Sequence, residues 1–82
     1  MTKPTIHLNG SSRDFLLKGY ADAATALRSA MYVLASAAPN ARDYYPQGDG
    51  AYSAARVEHR ARLAKLGEVL AEIEAIAEAV AG

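Results

Sequence analysis

Two runs of apolar residues at alternating four- and three-residue spacing, split by one stretch rich in proline and glycine, leave this chain few ways to fold. The first run is Leu16, Tyr20, Ala23, Leu27, Ala30, Leu34 and Ala37, and the second is Leu63, Leu66, Leu70, Ile73, Ala77 and Val80. Such spacing is the seam of a left-handed helix pair, and a strand, with its period of two, does not produce it. Val69 and Ile76 add a second apolar stripe beside the second seam.

Local signals set the expected boundaries. Helix 1 is expected over 11–38, starting at Ser11 or Ser12: Ser11 and Asp14 have capping-box spacing with Asp in place of Glu, and Pro39 pushes Ala38 out of the α region. The loop is 39–50 (PNARDYYPQGDG). Asn40 and Asp43 repeat the capping spacing, so one turn is expected from Ala41 to Tyr45, ended by Pro46. Gly48 and Gly50 suit left-handed turn positions, and Asp49 is a candidate N-cap for helix 2 over 51–81. Only Gly67 interrupts that helix, at a cost of about 1 kcal/mol relative to Ala. Residues 1–10 read as a short extended arm, carrying Pro4, Thr5, Ile6 and Gly10. Ile6 and Leu8 alternate with His7 and Asn9, and their apolar side is expected to rest on a hairpin.

The whole of 1–82 is therefore expected to be one all-α domain, an antiparallel two-helix hairpin. With the fold centred in the loop, Leu34 falls near Ala55, Ala30 near His59, Leu27 near Leu63 and Leu16 near Ile73. The core of such a hairpin is thin, since nineteen residues are alanine against eight leucines, four valines, three isoleucines and one phenylalanine. Alanine favours helix but hides little surface. Leu17, Met31 and Val33, with Val69 and Ile76, have no partner inside one hairpin. Assembly into a helical-bundle homo-oligomer, a four-helix bundle or a larger ring, is expected to cover them.

Several classes are set aside. Without cysteine there are neither disulfides nor thiolate metal sites. No basic-then-apolar signal pattern opens the chain, and no run of about eighteen apolar residues suits a membrane. Nine basic and nine acidic residues cancel, which makes a poor general binder of DNA or RNA.

Helix 2 is polarised against its own dipole. Arg56, His59, Arg60, Arg62 and Lys65 lie in its first half, and Glu68, Glu72, Glu74 and Glu78 in its second. The macrodipole prefers the reverse. Self-association accounts for this in one way, by setting the Arg-rich half of one copy against the Glu-rich half of another. Local pairs such as Glu58 with Arg62 need no function at all.

A second account looks at what surrounds the arginines. Tyr52, Arg56, His59 and Leu63 share one face, so the seam turns polar as it reaches the loop. The loop brings Asn40, Arg42, Tyr44, Tyr45 and Gln47 to the same end. Arginine grips phosphate through a planar fork, tyrosine offers a flat face and a hydroxyl, and Asn or Gln can read the amide-like edge of a base. The expected ligand-binding set is thus Asn40, Arg42, Tyr44, Tyr45, Gln47, Tyr52, Arg56, His59 and Arg60. Each also has a plain reading: the tyrosines cap the bundle end, His59 is a satisfied core histidine, and Arg42 pairs with Asp43. No catalytic, metal or cofactor motif is present, so binding without chemistry is expected.

The stretch Asn40 to Gly48 (NARDYYPQG), followed by the helix carrying Glu58 and His59, resembles a motif of small phage and prophage proteins, over Ser11 to Ala81. In size, hairpin shape and need to oligomerise, the chain is similar to phage sponge proteins. Those are compact helical oligomers that sequester nucleotide second messengers of bacterial CBASS or Thoeris immunity. The likeness is one of architecture. It implies a cytoplasmic homo-oligomer in a bacterial host that sequesters a small phosphorylated nucleotide-type ligand and so inhibits nucleotide-signalling immunity. The alternative is a non-enzymatic structural or adaptor module that grips another protein through its loop.

Overall fold

A computed structural model describes Met1–Gly82, and it is all-helical. Helix α1 spans Arg13–Ser36 and helix α3 spans Ala51–Ala81, with a four-residue helix α2, Ala41–Tyr44, and a 3₁₀ turn, Tyr45–Gln47, between them. The two long helices lie side by side in a rod of 61 × 21 × 17 Å. Neither is long and apolar enough to cross a membrane.

The ends follow local chemistry, with three corrections. Of the two expected starts, Ser12 is the N-cap: its hydroxyl accepts the Phe15 amide at 3.1 Å, and helix α1 begins after it. It ends at Ser36, short of the expected residue 38. There the Ala37 amide is shared between Val33 O (3.2 Å) and Leu34 O (3.0 Å), a tightened last turn that unwinds the chain ahead of Pro39. Helix α3 is capped by Gly50 rather than Asp49. Gly50 takes φ +89°, a left-handed conformation open to glycine, and its carbonyl receives the first helical bond from Ala54 at 2.9 Å. The expected turn after Asn40 forms, but Pro46 sits within the 3₁₀ turn that extends it.

The seam on α3 faces inward throughout: Leu63, Leu66, Leu70, Ile73 and Ala77 are half-buried and Val80 is fully buried. On α1 the inward face differs from expectation. Ala23, Ala30 and Ala37 are exposed, and Leu17, Ala24 and Met31 join the expected Leu16, Tyr20, Leu27 and Leu34, which are half-buried. Rotating the helix so that Leu17 and Met31 point inward hides far more apolar area than three alanine methyls would. Leu17 and Met31 thus have partners within the chain after all, whereas Val33 remains 65 % exposed.

The two helices also meet in a shifted register. Arg13 Nε donates to Val80 O at 2.9 Å, and the Met31 methyl lies against Gly67. Both contacts slide α1 by about a turn or more toward the C-terminal end of α3. At 1.5 Å per residue, 31-residue α3 is also roughly 10 Å longer than 24-residue α1. The first turns of α3 therefore project past α1 and are covered by the loop instead. A half-exposed ion pair, Arg28 to Glu74 at 3.3 Å, links the two helices. Gly67 need not be glycine: a Cβ there meets the Met31 methyl at 3.8 Å, an ordinary contact. Gly67→Ala should stabilise the fold by about 1 kcal/mol through helix propensity, read as a rise in melting temperature.

Very little is hidden. Only Ala24, His59 and Val80 are buried, and the chain exposes 6122 Å². A compact monomer of 8.7 kDa exposes roughly 4,700 Å². The arm lies outside any helix or strand, with Leu8 98 % exposed, so that side chain finds no seat on its own hairpin.

Candidate ligand site

The projecting end of α3 and the loop build one cluster. Asn40 caps α2 by accepting the Arg42 amide at 3.0 Å. That short helix carries Tyr44 over the start of α3, where its ring lies 6.5 Å from the Tyr52 ring at a 39° tilt. One turn along α3, the Arg56 guanidinium sits 5.5 Å from the Tyr52 ring centroid. Tyr44, Tyr52 and Arg56 thus form a ladder, held by aromatic and cation–π contacts.

His59 follows one turn later and is the only buried polar side chain, 8 % exposed. The register shift puts it beside Ala37, Ala38 and Pro39, not opposite Ala30 as expected. Its Nε2 is buried without a hydrogen-bond partner in the fold, so the plain reading of a satisfied core histidine does not hold. Leaving such an atom unpaired costs roughly 1–3 kcal/mol.

Two clefts share His59 and Pro39 as a common wall. The larger, about 410 Å³, takes Tyr44 and Gln47 from the loop, and Glu58, His59 and Arg62 from α3, with Ala51, Ala54 and Ala55 making its floor. The smaller, about 210 Å³, is lined by Tyr52, Arg56, His59 and Arg60 together with Ala38 and Pro39. Their charge differs. Arg62 is 3.7 Å from Glu58, an exposed pair that leaves the larger cleft near neutral, whereas Arg56 and Arg60 have no carboxylate partner.

Six of the nine residues expected to bind ligand therefore converge: Tyr44, Gln47, Tyr52, Arg56, His59 and Arg60. Three do not line these two clefts. The Asn40 side-chain Oδ1 serves the cap and also accepts Arg42 Nε at 3.3 Å, so Arg42 turns to Asn40 rather than Asp43. Tyr45, 86 % exposed, borders Arg42 in one shallow depression and shares a separate cleft of about 290 Å³ with Tyr44 and Tyr52. Glu58 and Arg62 were missed as lining residues, because four-residue spacing of opposite charges reads first as a solvated pair. The alanines at 51, 54 and 55 were missed too, since the space they leave carries no chemical signal.

No protein-family model, curated protein or solved structure matches the chain. Fold and site together define a small all-α hairpin with paired polar clefts where the longer helix outruns the shorter.

Proposed function

We propose that the protein binds a small phosphorylated ligand of the nucleotide type at the loop end of an oligomeric helical hairpin, and sequesters it without transforming it. The observation that carries this reading is the buried, unpartnered Nε2 of His59 between the two clefts, flanked by unpaired Arg56 and Arg60. A buried polar atom without a protein partner is met by a ligand atom at low cost, and two free guanidiniums one turn apart suit phosphate. The neutral larger cleft, with Tyr44 and Gln47, suits the base or sugar. Oligomerisation is supported by the excess exposed surface and by Phe15, Val33 and Val69 standing in water. In this reading the phage-encoded role is that of a sink for a bacterial immune nucleotide. The exposure of Tyr45 favours the adaptor reading, in which the loop grips a protein.

Calorimetry with a panel of cyclic nucleotides and ADP-ribose derivatives tests the proposal. Arg56→Ala should weaken binding about ten- to a hundredfold, the value of one charge-assisted contact. The same variant should melt slightly early, because the contact with Tyr52 is worth roughly 0.5–1 kcal/mol at an exposed site. A protein that binds none of the panel while losing assembly in Arg56→Ala would leave the adaptor reading.

A further inference from the structure

The rotation of α1 that buries Leu17 and Met31 leaves a second seam facing water. Phe15, Gly19, Ala23, Ala26, Ala30 and Val33 share one side of α1, all are exposed, and none is charged. Lys18 and Asp22, paired at 2.7 Å, border this stripe without interrupting it. The stripe continues into Ala37, which lines the larger cleft. On α3, the face that carries Arg62 into that cleft continues at heptad spacing to Val69 and Ile76. One side of the hairpin thus carries an apolar stripe along α1, joined on α3 by Val69 and Ile76, and ends in the cleft.

From this we infer that a second copy of the chain packs antiparallel on this face, about a twofold axis near residues 24–25, and that its N-terminal arm closes the larger cleft. Surface area supports a stable contact. The chain exposes 6122 Å² where a compact monomer exposes roughly 4,700 Å², and a standard interface takes about 800 Å² from each partner. Size supports the antiparallel sense. Phe15 of one copy meets Val33 of the other, Gly19 meets Ala30, and Ala23 meets Ala26, so small residues let the helix centres approach and bulky ones fill the ends. Charge supports it too. The basic loop end of each hairpin comes to lie beside the acidic end of the other, where Glu68, Glu72 and Glu78 have no partner within the chain. That arrangement gives the reversed charge gradient of α3 a reason, and leaves Arg56 and Arg60, in the smaller cleft, for the ligand. The arm of the second copy then leaves its α1 at the level of Ala37, which brings exposed Leu8 over Tyr44, Gln47 and Ala54.

The closure of the site rests on the ligand reading above, but its test needs no ligand. The chain has no cysteine, so single introduced thiols report contacts directly. Ala26→Cys should oxidise to a covalent dimer of twice 8.7 kDa, while Phe15→Cys, whose copies lie at opposite ends, should not. The double variant Leu8→Cys, Ala54→Cys should also link two chains, with neither single variant doing so. Linkage within one chain is excluded because the two positions lie at opposite ends of α1, about 36 Å long. Self-linkage of Phe15→Cys would mean parallel packing and overturn the arrangement. An Ala26→Cys dimer without the Leu8–Ala54 link would overturn the closure by the arm. A chain that stays at 8.7 kDa with no cross-link in any variant would overturn both. Failure to bind nucleotides, with the cross-links formed, would overturn only the ligand reading.

Discussion

His59→Leu is expected to raise the melting temperature and weaken ligand binding in the same variant. Leucine fills much of the histidine volume and removes the buried Nε2 that no protein group satisfies. The gain should be roughly 1–3 kcal/mol, which in a domain this size is roughly 4–8 °C for each kcal/mol. Binding should fall at least tenfold, since the ligand loses a hydrogen bond in a water-poor wall between the clefts. Stability gained where function is lost is the signature of a residue kept for a site. Thermal melts and calorimetry on one preparation decide it. A variant that melts several degrees early would mean that His59 serves the fold, and the ligand reading would lose its main support.

Ile76→Glu should dissociate and unfold the protein together. Ile76 is half-buried in the hairpin and continues the stripe that Val69, 45 % exposed, presents to solvent. Hiding an isoleucine is worth roughly 1.5–3 kcal/mol per chain, counted twice in a symmetric dimer, and a carboxylate there adds its own desolvation cost. Only three residues are buried in one hairpin, so in the proposed dimer assembly and folding are expected to be coupled. The wild-type melting temperature should therefore climb with protein concentration. That of Ile76→Glu should be much lower, and light scattering should find no compact dimer. A variant of 8.7 kDa that melts like wild type would separate folding from assembly and defeat the coupling.

The two seams were not equally legible. On α3 the leucines and Ile73 are large enough that only one rotation hides them, and all six seam positions face inward. On α1 the pattern of three alanines was ambiguous, because an alanine contributes so little area that neighbouring rotations differ mainly in where Leu17 and Met31 go. The helix turned to them, and Ala23, Ala30 and Ala37 went outward. Caps show the same limit. Ser11 and Ser12 are chemically equal candidates, and the backbone at Ser12 (φ −68°, ψ 158°) decided between them.

By itself the sequence determined the helical pair, the place of the break at Pro39 to Gly50, and the gathering of tyrosine and arginine at one end. These follow from local sterics and from the period of side chains on a helix, which neighbours in sequence settle. Only the tertiary structure decided the register. The slide of α1 toward the C-terminal end of α3 leaves the start of α3 to the loop, seats His59 against Pro39, and opens a cleft over three alanines. Register depends on how unequal side chains such as Met31 and Gly67 interlock across the pair, and that is a property of two surfaces meeting, which no single stretch of chain carries.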